Sequence, residues 1–330
     1  MRLRFSYTFV VAVAWSVACG RTAPPASTPI RLPARVVSDR FVATPVTTNG
    51  DTLDFFLDTG GGLNMLWPSA VARLKLSPKQ VELGGDDGGS EKWGAVDFPR
   101  FVPAASIPSA MQSMLGERLG VPPTAESLDS ASARDGFLGR FWFADRIWVL
   151  DYPTGQLAMW PAGTPALPAG PHQTRLGFLS NVVGHRSTQF PRIRVLVDGD
   201  SVDMLFDTGA TITLTPSAAA ALGDGGPTSR GGSFVAQSVF ERWRSRHPDW
   251  RVIEGADSLG RRALPMIEVP AVSVGGYTVG PSWWAMRPDV NYAPYKEWMD
   301  RPIHASVGGS VLHFFRVTLD YPHAVATFER

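Results

Sequence analysis

Two aspartates in the 330-residue chain stand in the same local setting. Asp58-Thr59-Gly60 and Asp207-Thr208-Gly209 each follow an apolar run, Phe55-Phe56-Leu57 in the first copy and Met204-Leu205-Phe206 in the second. A carboxylate at the end of an apolar strand is costly unless its charge is shared, hydrogen-bonded or used. If a pseudo-twofold axis relates the copies, Asp58 and Asp207 meet across it, and two carboxyls at that range cannot both ionise. Such a pair holds one proton between two macroscopic pKa values. The ionised member can draw a proton from a bound water while the protonated member polarises a carbonyl, which hydrolyses a peptide bond with no covalent intermediate. In the same arrangement Thr59 and Thr208 can hydrogen-bond backbone across the axis. Gly60 and Gly209 let backbone N–H groups reach the carboxylates with no Cβ in the way.

The elements that must carry these triplets repeat as well. Residues 41–60 and 190–209 match without a gap at an offset of 149, each reading as a strand, a tight turn and a strand. Asn49-Gly50 and Asp198-Gly199 suit type I′ hairpins, in which both central residues take φ > 0. Downstream, Gly136-Phe-Leu-Gly139 through Asp151-Tyr-Pro153 matches Ser306-Val-Gly308 through Asp320-Tyr-Pro322 at an offset of 169, so half two carries an insertion. Phe234, Val235, Val239, Phe240 and Trp243 recur at roughly helical spacing, which places the insertion near 233–250 as a surface helix. Other helices are expected at 69–74, 110–119 and 217–222. The remaining segments are short, rich in Val, Phe, Trp and Thr, and punctuated by Gly and Pro. The expected fold is all-β with a few short helices, in two lobes related by a pseudo-twofold axis with the site between them. The lobes span 39–160 and 174–330, joined by a proline-rich connector at 161–173.

Composition narrows the function. The chain is 44% hydrophobic and 18% charged, which excludes a disordered tail or a coiled coil, and its length suits two ordinary domains. Lys and Arg number 31 against 30 Asp and Glu, with no basic run that would suit nucleic acid. Residues 1–18 read as a signal peptide: Arg2 and Arg4, then an apolar stretch too short to span a membrane comfortably. The single cysteine, Cys19, ends that stretch and is followed by a proline-rich linker to residue 38. Its setting resembles a bacterial lipobox, with Ser16 departing where Leu is usual. Lipidation of Cys19 and export to the periplasm or outer envelope are expected, with ordinary cleavage as the alternative. The six histidines lack metal-ligand spacing, and no Gly-x-Ser-x-Gly elbow or Walker loop is present, so no metal or other cofactor is expected.

The duplicated triplets and their downstream blocks resemble an aspartic protease of the pepsin and retropepsin superfamily in the two-lobed single-chain form. The resemblance covers nearly all of residues 40–330. Asp58-Thr-Gly through Trp67-Pro68-Ser69 resembles the first active-site loop of pepsins, and Asp207-Thr-Gly through Pro216 the second. Phe137-Leu138-Gly139 and Ser306-Val307-Gly308 resemble the element that threads beside each catalytic loop, with Ser306 a polar departure. The strands ending Leu150-Asp-Tyr-Pro and Leu319-Asp-Tyr-Pro look more like bacterial retropepsin-type proteins than animal pepsins. The resemblance implies that Asp58 and Asp207 are the catalytic pair, and that a hairpin within residues 81–96 closes over the substrate, with Trp93 the candidate for the family's flap tyrosine.

Two departures bear on mechanism. Gly61 and Ala210 stand where pepsins carry Ser or Thr, and the lost donors are expected to raise both aspartate pKa values and move the optimum toward pH 5–6. The first loop is also one residue longer than in pepsins, leaving the role of Trp67 open. The leading reading is a monomeric envelope endopeptidase acting on peptide laid across the cleft as an added strand. The alternatives are a two-lobed protease-like protein that binds peptide or glycan without cutting, and a chain whose own insertion fills its cleft.

Overall fold

Short β-branched and aromatic runs separated by Gly and Pro become strands, and the computed structural model arranges them in three large sheets. The structure describes residues 28–84, 90–110, 113–123 and 135–330. The signal peptide, Cys19 and the centre of the expected lid at 85–89 lie outside the described residues. Among the described residues no helix is long and apolar enough to cross a membrane.

The N-lobe sheet runs in the order Ala34–Val37, Arg40–Ala43, Phe55–Leu57, Gly136–Leu138, Met65–Leu66, Arg118–Val121, Ser90–Asp97, Lys79–Gly84. The C-lobe sheet repeats this plan around Asp200–Phe206, Ala305–Val307 and Ser233–Ala236. In each lobe the strand leading to the aspartate pairs in parallel with the strand of the downstream block, Leu57 with Leu138 and Phe206 with Val307. A third sheet is shared by the two halves. Its central pair is Ile147–Asp151 against Arg316–Asp320, antiparallel, so Trp148 lies opposite Leu319. Trp142, Phe143 and Trp148 are fully buried beneath it, with ring centroids 4.2 Å apart for the two tryptophans, and Phe143 stacks on Tyr321 of the other half at 6.4 Å. The pseudo-twofold, two-lobed all-β architecture expected from the repeat is thus present.

Four local expectations are corrected. First, the extra length of half two does not lie at 233–250. Met65 pairs with Phe137 and Phe234 pairs with Ser306, so Met65 and Phe234 are equivalent at the downstream offset of 169. The twenty added residues therefore sit between Gly209 and Ser233, as the strand Thr211–Thr213, the helix Pro216–Leu222 and the strand Ser229–Gly231. Residues 233–236 are a central strand, and the helix Gln237–Arg246 buries Val239, Phe240 and Trp243 in the core, corresponding to the shorter helix Pro68–Arg73 of the N lobe. Second, the described part of 110–119 is no helix. It is a turn leading into Arg118–Val121, whose Gly120 pairs with Met65. Third, residues 30–37, assigned to the linker, form the strands Ile30–Leu32 and Ala34–Val37. Fourth, Asp198 and Gly199 both take positive φ as a type I′ turn requires, whereas at Asn49-Gly50 only Gly50 does, its N–H donating to Thr47 O. There Thr47 N–H donates to Asp51 O at 2.8 Å, so the turn closes over residues 48–50, whereas Val197 pairs with Asp200 across Asp198-Gly199 alone.

Candidate active site

Each Asp-Thr-Gly loop leaves its strand at the molecular axis and is fixed there by the other. Thr59 N–H donates to Thr208 Oγ1 at 3.0 Å and Thr208 N–H donates to Thr59 Oγ1 at 3.1 Å. Each hydroxyl then donates onward across the axis, Thr59 Oγ1 to Phe206 O at 2.6 Å and Thr208 Oγ1 to Leu57 O at 3.0 Å. Both threonines are fully buried, so these four bonds exchange with no solvent and lock the loops as one unit. Behind the loops, Gly139 N–H donates to Asn64 Oδ1 at 2.9 Å and Gly308 N–H to Ser233 Oγ at 3.0 Å, the same brace made with different side chains.

The brace places the two carboxyls side by side, hydrogen-bonded to each other. Gly60 N–H donates to Asp58 Oδ1 at 2.7 Å and Gly209 N–H to Asp207 Oδ1 at 3.1 Å. Close approach makes these glycines obligatory: a Cβ on Gly209 would lie 2.2 Å from Asp58 Cγ, and one on Gly60 would lie 2.8 Å from Asp207 Cγ. Burial pushes both carboxyls up, and Asp207 well up, because the charge of Asp58 and its hydrogen bond also favour the proton on Asp207. Asp58 is held down relative to its partner by that bond and by backbone N–H groups. The two titrate as a pair, with Asp207 the better proton holder and Asp58 the better anion. The upward direction agrees with the expectation from Gly61 and Ala210, but burial is its largest cause rather than a missing hydroxyl.

A cleft of about 600 Å³ opens over the pair. Phe56, Phe137 and Phe234 give it apolar walls, while Thr211 and Thr213 of the added segment form part of one side. Trp67 packs behind Phe56 and Phe137 and so backs that wall. The added segment does not fill the cleft, nor does the helix Gln237–Arg246. Trp93 does not line this space: it lies on Ser90–Asp97, packs over Gly120, and donates from Nε1 to Glu91 at 2.8 Å. Among the described residues a C-lobe hairpin tip reaches the cleft, through Ser258 and Leu259 at the end of Val252–Leu259 and Gly260 in the turn to Arg262–Val269.

Three arginines were not picked out from the sequence. Arg40 is buried and crosses between lobes, Nη1 donating to Thr211 Oγ1 at 3.0 Å and Nη2 to Ser229 O at 3.2 Å. Arg287 lies 3.9 Å over the Phe234 ring and pairs with buried Asp257 at 2.6 Å. Arg140 donates to Gly61 O at 3.2 Å between the rings of Phe141 and Phe190, and burial pulls its pKa down to about 10. The only sequence signal for Arg140 is its place directly after Gly139. Arg40 and Arg287 come from segments remote from both triplets.

No family model matches the chain, and no curated protein matches it. Among solved structures, the crystal structure of aspartic proteinase from Irpex lacteus aligns with 91% of this chain and 97% of its own, at 11% identity and a TM-score of 0.47.

Proposed function

We propose that the protein is an aspartic endopeptidase in which one water, held between Asp58 and Asp207, attacks a peptide carbonyl. The observation that carries this reading is the reciprocal Thr59–Thr208 brace, which sets two carboxyls of unequal proton affinity at the floor of an open cleft. Asp58, as the anion, takes a proton from the water as its oxygen bonds to the carbonyl carbon, and Asp207 gives its proton to the carbonyl oxygen. The tetrahedral diol then collapses. The C–N bond breaks, Asp58 passes its proton to the leaving nitrogen, and Asp207 recovers one from a diol hydroxyl, so the pair ends as it began. Substrate would lie extended across the cleft, with alternate side chains toward the Phe56, Phe137 and Phe234 walls.

Both triplets occur in one chain, so a monomer suffices in the manner of a tandem retropepsin-like protein. The reading also places the mature protein outside the cytoplasm, anchored through lipid on Cys19. The test is a mixed peptide library incubated with wild type and Asp207→Asn at pH 3 to 7 and read by mass spectrometry. Cleavage by wild type alone supports the reading. If neither protein cuts while both bind peptide, it is a binding protein and the aspartates are ligands.

A further inference from the structure

Away from the cleft, a tight turn at residues 180–186 holds two valines out into solvent. Ser180 and Arg186 form a bridge at its base, and Asn181 N–H donates to His185 O at 2.8 Å. The Asn181 side-chain oxygen accepts from Val183 N–H at 3.1 Å and His185 N–H at 2.9 Å, while Gly184 at φ 82° donates to Asn181 O. The turn is therefore built, and what it presents is Val182, 104% exposed, and Val183, 69% exposed. Valine ranks among the most buried residues, and its stiff side chain loses little freedom on insertion.

The flanks of this turn are basic. Ser180, Gly184 and Arg186 line a groove of about 650 Å³ together with Arg175, Arg192 and Arg301. Arg192 is neutralised by Asp203 and Asp300, each at 2.7 Å, and Asp145 also faces the groove. Arg175 and Arg301 are exposed, and Arg186 lies 3.8 Å over the Phe178 ring with a hydrogen bond to Tyr321 O. The excess charge around the tip is positive.

A stable protein interface wants a contiguous apolar patch of several hundred Å², which two valines on a narrow tip do not supply. A bilayer interface asks for something different: apolar side chains that reach the acyl boundary and guanidinium groups that meet lipid phosphates at the rim. We propose that the 180–186 turn docks the protein onto an anionic membrane surface, Val182 and Val183 entering the interface and Arg175, Arg186 and Arg301 meeting headgroups. This contact is independent of Cys19 and of the peptidase reading.

The test uses the full chain with Cys19→Ser and Val183→Cys, the new thiol carrying a polarity-sensitive fluorophore, mixed with vesicles of phosphatidylglycerol and phosphatidylcholine. The expected result is a blue shift and quenching by acyl-chain quenchers, both weakened by salt and absent with phosphatidylcholine alone. In sedimentation, Val182→Ser/Val183→Ser should bind the mixed vesicles about tenfold more weakly, and Arg175→Gln/Arg301→Gln should lose the preference for anionic lipid. The proposal is overturned if the label at 183 stays solvent-like while the chain sediments, since another segment then does the binding. Equal sedimentation of the serine variant, or a shift produced by envelope proteins and not by vesicles, overturns it as well.

Discussion

The ring of Phe137 occupies the space that a side chain at Gly61 would need: a Cβ there would lie 2.1 Å from Phe137 Cζ. Gly61 is therefore a packing requirement of this cleft wall, and the absence of a hydroxyl beside Asp58 follows from it. Gly61→Ser should destabilise the fold by about 1–3 kcal/mol through overpacking and lower kcat/KM. On a Phe137→Ala background, itself destabilised by loss of the buried ring, the same serine should cost markedly less. Denaturant unfolding of both variants checks the coupling.

The raised pKa values of the carboxyl pair make stability depend on pH in a definite sense. A carboxyl whose pKa is higher in the folded state favours folding while protonated, and that contribution is lost as pH rises through the folded pKa. At neutral pH the pair is thus a cost, and Asp207, raised well above 3.8, bears most of it. Asp207→Asn should melt at a higher temperature than wild type at pH 7. The gain should shrink as pH falls and vanish below the unfolded carboxyl range, near pH 4. A melting series from pH 3 to 8 reads this directly.

For activity, the same directions keep one proton on the pair to higher pH than ordinary carboxyls would. A pH–rate profile should peak at about pH 5–6. A maximum below about pH 3 would mean that the carboxyls are not raised in the working enzyme.

The cross-axis brace predicts that shape cannot stand in for the hydroxyl. Thr208→Val would strand Thr59 N–H and Leu57 O in the core, costing about 1–3 kcal/mol for each unpaired group. Thr208→Ser should retain both bonds and most of the activity. Unfolding free energies and kcat for the two variants separate hydrogen bonding from packing.

Arg287 and Asp257 are 9% and 1% exposed at their side chains, so each is the other's counter-charge in a nearly dry setting. Arg287→Met should cost about 3–5 kcal/mol by leaving Asp257 unpaired. Arg287→Met/Asp257→Asn should be milder, since the amide oxygen can still accept from Thr213 N–H. A double-mutant cycle in urea measures the difference.

The triplets, the duplicated downstream block and the two-lobed architecture were legible because each is local pattern repeated at fixed spacing. Helix 237–246 was legible in part, since Val239, Phe240 and Trp243 carry the right period. That Phe234 and Val235 belong instead to a strand beside Ala305–Val307 was not, because a short apolar run does not declare its distant partner. The same ambiguity misplaced the added segment, whose Thr211–Thr213 reads as a plain continuation of the Asp207-Thr208-Gly209 loop. Arg40, Arg140 and Arg287 were missed for a related reason: apart from the place of Arg140 directly after Gly139, nothing in their sequence neighbourhoods marks them, and only folding carries Arg40 and Arg287 to the cleft and Arg140 to Gly61 O.

The shared sheet also dictates an order of assembly. Strand Ile147–Asp151 has Gln156–Met159 on one side, but its other edge stays open until Arg316–Asp320 arrives. During synthesis the first half must therefore wait, with Trp148 and its neighbours ready to pair with any strand that comes near. A chain that has not been made as far as Asp320 thus keeps that edge exposed, and the shared sheet is complete only once the whole molecule has closed on itself.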